Sequence, residues 1–368
     1  MKIDSIKDWG VGLEKHAIIA GPCSAETEEQ LYETSVKLKD IGVNMIRAGV
    51  WKPRTRPNMF EGKGLEALKW IQNIKKETGL RFAIEVANPK HVYEAIKHNV
   101  DILWIGARST ASPFVVQEIA EAMRGSDVPI LVKNPVNPDI ALWLGAIERL
   151  TNVGLTRVGA IHRGFSSFKK TKYRNVPMWQ IAIDLKSSLS EIPLICDPSH
   201  IAGSREFIFE LSQKAMDLDY DGLIIETHRD PQNAWSDAAQ QVTPEVLSNI
   251  LKNLKYRSTS SADQDYLTHL GDLREQIDQI DRELFELTAQ RMAIVEEIGM
   301  YKKKNNVTVF QKSRWKEISE TRKSWAQELG LNDEFMIELF KLMHNAAIRR
   351  QETIMNTPLE DLEKDGNS

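Results

Sequence analysis

Side chains able to do chemistry collect at the ends of short apolar runs in this sequence. The run Ile192-Pro-Leu-Ile-Cys196 stops in Asp197-Pro198-Ser199-His200. The run at 16–20 stops in Gly21-Pro22-Cys23-Ser24, and the one at 222–225 in Glu226 and His228, with Asp237 a little beyond. Cys23, His200, Glu226 and Asp237 together offer one sulfur, one nitrogen and two carboxylates. That mixed set suits a borderline divalent ion of the manganese, iron or zinc class, and suits calcium poorly. A second group is cationic: Arg47, Lys52, Arg54, Arg108, Lys133 and Arg163 also stand at or just after such runs. Six positive charges around one cavity repel one another unless anions sit among them. Guanidinium forks match phosphate and carboxylate oxygens, so the implied substrates carry more than one anionic group. Taken singly, each residue has a plainer reading. A small buried cysteine is usually core, and a lone arginine usually lays its stem on the surface. The coincidence of so many run-terminal residues is what argues for a site.

The elements that would position them are eight apolar runs, at 16–20, 44–50, 81–87, 102–106, 129–132, 157–161, 193–195 and 222–225. Segments with apolar residues at three- and four-residue steps, such as 27–41 and 64–78, lie between them. Strand and helix alternating eight times in roughly 250 residues predicts a (β/α)8 barrel. An open doubly wound sheet is the competitor, and no Gly-x-Gly-x-x-Gly follows the first run to support it. In a barrel, strand carboxyl ends share one rim, and strands 1, 7 and 8 are neighbours there. The run ends, including Glu85 and His162, are therefore expected on that rim.

After Tyr256 the pattern changes. Residues 1–256 carry the barrel; 257–265 are polar, without periodicity, and read as a linker. From 266 to 356 the sequence is helical, and 357–368 is polar and acidic and is expected to be disordered. In the first helix Leu273, Ile277, Ile280, Leu284, Leu287, Ile294 and Ile298 keep an apolar seam that Arg291 interrupts. Lys302 follows Arg291 by about three turns and faces the same way. A seam cation is either an oligomer-specifying polar residue or calls for an anionic partner. A helix of this length needs a partner to cover its seam, so a homo-oligomer, dimeric through this module, is expected. Patterns at 312–329 and 333–353 add two further helices.

Composition bounds the rest. Net charge is -4, charged residues are 27% and hydrophobic ones 42%, which gives no global basic field for nucleic acid or membrane. No apolar run approaches the roughly 20 residues of a membrane span. Two cysteines and an amino terminus without an apolar signal core lead us to expect a cytoplasmic protein.

Gly21-Pro-Cys-Ser, Arg47 before Lys52-Pro-Arg-Thr55, Gly106-Ala-Arg-Ser, His162-Arg-Gly, Asp197-Pro-Ser-His200 and Glu226 with Asp237 resemble the shorter type of 3-deoxy-D-arabino-heptulosonate 7-phosphate (DAHP) synthase. That subgroup also resembles 3-deoxy-octulosonate 8-phosphate synthases. The resemblance spans nearly all of 1–256 and implies condensation of phosphoenolpyruvate with erythrose 4-phosphate, releasing phosphate. It implies a divalent metal on Cys23, His200, Glu226 and Asp237. It implies Arg47, Lys52, Arg108, Lys133 and Arg163 around phosphoenolpyruvate, with Lys52 a candidate for proton transfer. Arg54, Thr55 and Asp197 would position erythrose 4-phosphate. Use of arabinose 5-phosphate is the runner-up. The family's amino-terminal regulatory domain is expected to be absent.

The carboxyl-terminal residues Leu273-Arg274, Ile277, Ile280-Asp281, Gln290-Arg291, Gly299, Lys302, Arg314 and Gln351 resemble the all-helical chorismate mutases over about 266–355. The implied reaction is rearrangement of chorismate to prephenate. Arg274 of a second copy and Arg291 would hold the substrate carboxylates. Lys302 and Gln351 would lie beside the ether oxygen, and Arg314 would bind substrate. The resemblance departs at one place: Trp315 stands where the family has the glutamate that contacts the substrate hydroxyl. A module that binds chorismate or prephenate as a sensor, with weak turnover, is therefore the alternative, a plain dimerisation bundle a third reading. Feedback inhibition of the synthase by prephenate on this module is expected.

Overall fold

A computed structural model describes residues 2–52, 60–168, 171–258 and 260–358. Arg54 and Thr55 lie outside the described residues, and so does the expected disordered tail from 359 onward.

All eight runs form strands: β1 (Ala17–Gly21), β2 (Met45–Ala48), β3 (Arg81–Val86), β4 (Ile102–Ile105), β5 (Ile130–Lys133), β6 (Val158–His162), β7 (Leu194–Cys196) and β8 (Gly222–Glu226). Each pairs in parallel with the next, and β8 pairs with β1, placing Gly21 opposite Glu226 and closing the barrel. Helices occupy the connections, including Glu28–Asp40 and Leu65–Thr78. Thr27 caps the first of these by accepting a hydrogen bond from the Gln30 N–H.

The pleat decides which side chains reach the interior. Ile19, Met45, Ala83, Trp104, Leu131, Ile161, Ile195 and Ile224 share one inner cluster. Trp9, from a single helical turn at Ile6–Trp9, joins them at the amino-terminal end of the strands. Gly159 leaves it room, since a Cβ there would meet the Trp9 ring at 3.0 Å. One inward position further along each strand come Gly21, Arg47, Glu85, Gly106, Lys133, Arg163, Asp197 and Glu226. The run-terminal polar residues thus form the top layer of an apolar-filled barrel.

His162 departs from the sequence reading. It precedes the inward Arg163 by one residue, and an offset of one sends a side chain to the opposite face. Its Nε2 donates to the Pro177 carbonyl at 2.5 Å, its Nδ1 accepts from the Tyr220 hydroxyl at 2.8 Å, and Phe165 and Trp179 pack beside it. Burial pushes its pKa down to about 4, in keeping with the neutral tautomer that both bonds require.

The chain divides into two compact units, Met1–Thr259 and Ser260–Ser368. The second contains helices Gln264–Lys304, Lys312–Glu328 and Asp333–Asn356. The first of these starts inside the stretch expected as linker. Asp263 caps it, its carboxylate accepting from the Asp265 and Tyr266 N–H groups. Arg257, at the linker's start, is tied to Asp217 at 2.8 Å. The first and third helices approach closely at Gly299, where a Cβ would lie 3.0 Å from the Ile354 methyl and 3.3 Å from Gln351 Cγ. Leu273, Ile277, Ile280, Leu284 and Leu287 on the first helix are exposed.

Candidate active sites

At the barrel mouth Cys23 Sγ and carboxylate oxygens of Glu226 and Asp237 lie within 4.8 Å of one another. His200 stands just outside this triple, its Nε2 3.8 Å from Glu226 Oε1. The Cys23 thiol donates to Asp237 Oδ2 at 3.4 Å and accepts from Lys52 Nζ at 3.1 Å. Burial, with Glu226 close by, pushes this thiol up to about 11. Burial alone would raise the two acids as well, but they are held low. His200 and Arg47 outweigh burial for Glu226. His200 and Arg174 do so for Asp237, held at about 2. Glu226 Oε1 is buried and accepts no hydrogen bond among the described residues. A soft sulfur, oxygens of two carboxylates and an imidazole gathered at one mouth fit a borderline divalent cation.

Loop residues invisible to the strand pattern hold these groups. Gln240 Nε2 donates to Glu226 Oε2 at 2.6 Å, and Gln241 Oε1 accepts from the Cys23 N–H at 2.9 Å. Arg174 NH1 donates to both Asp237 Oδ1, at 3.1 Å, and Gln240 Oε1, at 3.0 Å. Asp237 itself sits at φ +44°, a left-handed conformation that side chains other than glycine adopt sparingly.

Buried anions of the same layer offset part of its positive charge. Arg47 NH2 lies 3.1 Å from Glu226 Oε1, and Lys133 Nζ 2.8 Å from Asp197 Oδ2. Arg47 and Lys133 both stand near the Trp104 ring, at 5.3 and 5.7 Å from its centroid. Asp197 also reaches His200 Nδ1 at 2.8 Å and accepts from the His200 N–H. Despite burial, His200 and Lys133 hold it well below the carboxylate range. Arg163 NH1 donates to Asn175 Oδ1 at 2.8 Å, and its backbone N–H donates to Asn134 Oδ1. Burial, with Arg174 and Arg108 nearby, lowers Arg163 to about 10. Arg47 Nε and NH1 are buried without hydrogen bonds among the described residues. Lys52 needs Gly49: a Cβ there would strike the Cys23 carbonyl at 1.9 Å and Lys52 Cε at 2.3 Å. Arg108 is exposed just past β4.

In the helical unit, Arg291, Lys302, Arg314 and Gln351 line one cavity of about 530 Å³. Lys302 Nζ donates to the Val309 carbonyl, and Arg314 pairs with Glu317 at 2.7 Å. Trp315 stacks on His344, centroids 4.2 Å apart. Arg322 and His344, which the sequence reading did not single out, also line the cavity, and none of the lining residues is acidic. Arg274 does not line it. Seventeen residues before Arg291, it lies about 25 Å away along the same helix.

Residues 2–261 match the DAHP synthetase I family. The chain belongs to that family. Residues 273–352 match chorismate mutase type II, so two enzyme domains of the shikimate pathway are fused in one polypeptide. Among curated relatives, phospho-2-dehydro-3-deoxyheptonate aldolase of Thermotoga maritima is 29% identical over 255 residues, covering 68% of this chain and 73% of its own. A 2-dehydro-3-deoxyphosphooctonate aldolase of Brucella anthropi is 25% identical, covering 65% and 89%. The crystal structure of the Thermotoga maritima DAHP synthase superposes with a TM-score of 0.61 at 28% identity, over 68% of this chain and 72% of that one. A truncated form of the Thermotoga enzyme gives 0.59 at 27% identity, over 68% and 90%. No helix among the described residues is long and apolar enough to cross a membrane.

Proposed function

We propose that the barrel condenses phosphoenolpyruvate with erythrose 4-phosphate to DAHP and inorganic phosphate. The observation that carries this is the pairing, at one mouth, of the Cys23–Glu226–Asp237 cluster with Arg47, Lys133 and Arg163. Cys23, His200, Glu226 and Asp237 would hold a divalent ion, which when bound polarises the aldehyde carbonyl. Arg47, whose Nε and NH1 are buried without hydrogen bonds among the described residues, would bind the phosphate or carboxylate of phosphoenolpyruvate, with Lys133, Arg163 and Arg108 sharing that charge. The enol carbon attacks the aldehyde carbon, water adds at the adjacent carbon, and the phosphate leaves with its bridging oxygen. Lys52 would give a proton to the new alkoxide, and Asp197 would orient the sugar hydroxyls. Arg54 and Thr55 are assigned to erythrose 4-phosphate by motif alone.

In the helical unit, Arg291, Arg314 and Lys302 bind the dicarboxylate chorismate, and Arg274 arrives from a second copy across the exposed seam. Lys302 and Gln351 stabilise charge developing on the ether oxygen, which is all the rearrangement requires. The Trp315–His344 stack, in place of a carboxylate, favours a second reading: a sensor that binds better than it turns over. Prephenate bound there inhibits the synthase in either case. The domains are assigned to 1–256 and 266–356, and the protein to the cytoplasm as a homodimer.

Phosphate release from phosphoenolpyruvate plus erythrose 4-phosphate, abolished by chelator and restored by manganese, tests the barrel. Faster release with arabinose 5-phosphate would replace the sugar assignment. Prephenate inhibition that survives deletion of 260–368 would remove the feedback assignment. Chorismate turnover by the full chain separates mutase from sensor.

A further inference from the structure

The mutase reading leaves one cation of the helical cavity without a role. Trp315, Ile318 and Arg322 follow at three- and four-residue steps along the second helix, so they share the face that lines the cavity. The Arg322 guanidinium lies 4.5 Å from the Trp325 ring centroid and 5.8 Å from that of Phe340, and its NH1 donates to Thr321 Oγ1 at 2.8 Å. These contacts fix the fork and leave its Nε buried with no hydrogen-bond partner among the described residues. Arg291 NH1, on the first helix, is buried and unpaired in the same way. Arg322 is close enough to disfavour charge on Arg291, whose pKa is lowered by burial first and by Arg322 second. Both guanidiniums therefore line one acid-free cavity, and each keeps a buried N–H without a hydrogen-bond partner among the described residues. An anion with two oxygens satisfies both and removes their repulsion.

We propose that Arg322 is a ligand-binding residue, holding with Arg291 one carboxylate of the dicarboxylate that occupies the cavity. The inference rests on reading this cavity as the chorismate and prephenate site. It adds a cation supplied by the chain itself beside the one assigned to the partner's copy. The competing role is structural, with Arg322 serving only to anchor Trp325 and Phe340.

The test is calorimetric titration of prephenate into the full chain and into Arg322→Gln, Arg322→Lys, Arg291→Gln and the Arg291→Gln/Arg322→Gln double variant, with melting temperatures measured with and without prephenate. Arg322→Gln should weaken prephenate binding at least tenfold without lowering the melting temperature of the ligand-free protein. Arg322→Lys should recover part of the affinity, and the double variant should lose less than the product of the two single losses, because both groups hold one carboxylate. Unchanged affinity in Arg322→Gln overturns the proposal and leaves the cavity reading standing. A lower ligand-free melting temperature with no recovery in Arg322→Lys assigns the anchoring role instead and also overturns it. A native chain that binds no prephenate overturns both the proposal and the reading beneath it.

Discussion

The cationic mouth depends on acids buried within the same layer, and the Lys133–Asp197 pair offers the sharpest test. Lys133 is 4% exposed and Asp197 0%, with Nζ and Oδ2 2.8 Å apart. Removing one member of such a pair strands the other in a low-dielectric site, at a cost of about 3–5 kcal/mol. In Lys133→Met, His200 Nδ1 remains 2.8 Å from the carboxylate and offsets part of the loss, so the lower figure applies. In Asp197→Asn the amide oxygen can still accept from the His200 N–H, which preserves the cap on Pro198–Ala202 and isolates the lost charge. Each single variant should lose about 3 kcal/mol. At about 2–4 °C per kcal/mol for a barrel of this size, the melting point falls by roughly 6–12 °C. The double variant, a thioether beside a neutral amide, should recover about 2 kcal/mol relative to the sum of the singles. Scanning calorimetry of the barrel transition in all four proteins measures this coupling. Losses that add to within about 0.5 kcal/mol would refute the buried charge balance.

Three further outcomes follow from the geometry. His162 stays neutral in the folded protein down to pH about 4, while the unfolded chain protonates it near 6.5, so its contribution is complete above 6.5 and lost as pH falls toward 4. Between pH 7.5 and 5, denaturant titrations should show native stability falling about 2 kcal/mol more than that of His162→Gln; equal falls would contradict the buried neutral ring. Gly299→Val should push the first and third helices apart and cost about 1–3 kcal/mol, read as a lower melting point of the helical unit with weaker prephenate binding. Trp315→Glu should break the stack on His344, costing about 1 kcal/mol, yet raise chorismate turnover roughly tenfold by restoring a charged hydrogen-bond partner. Stopped turnover in that variant would argue that the aromatic wall is itself required.

The barrel was readable in the sequence because its strands are short apolar runs, and the period of two makes the residue after each run either a rim residue or an outward one. The sequence reading took every run end as a rim residue; the pleat puts Arg47, Lys133, Asp197 and Glu226 in one inward layer and turns His162 the other way. The helical cavity was half readable: Arg291 and Lys302 broke an apolar seam, whereas Arg322 sits on a helix so polar that one more arginine stands out from nothing. Gln240, Gln241 and Arg174 were not readable either. They act from irregular loops, where no periodicity ties residue number to direction. The linker appeared too long because a cap such as Asp263 looks, in composition, like the loop it ends.

Anomalous diffraction from crystals of the full chain grown with manganese would show whether the barrel mouth holds a metal ion. One strong peak is expected at the barrel mouth, bounded by Cys23 Sγ, His200 Nε2 and carboxylate oxygens of Glu226 and Asp237, with His200 and Glu226 drawn toward it from their 3.8 Å separation. A mouth without a peak, or manganese bound elsewhere while these four groups keep their present contacts, would contradict the metal assignment.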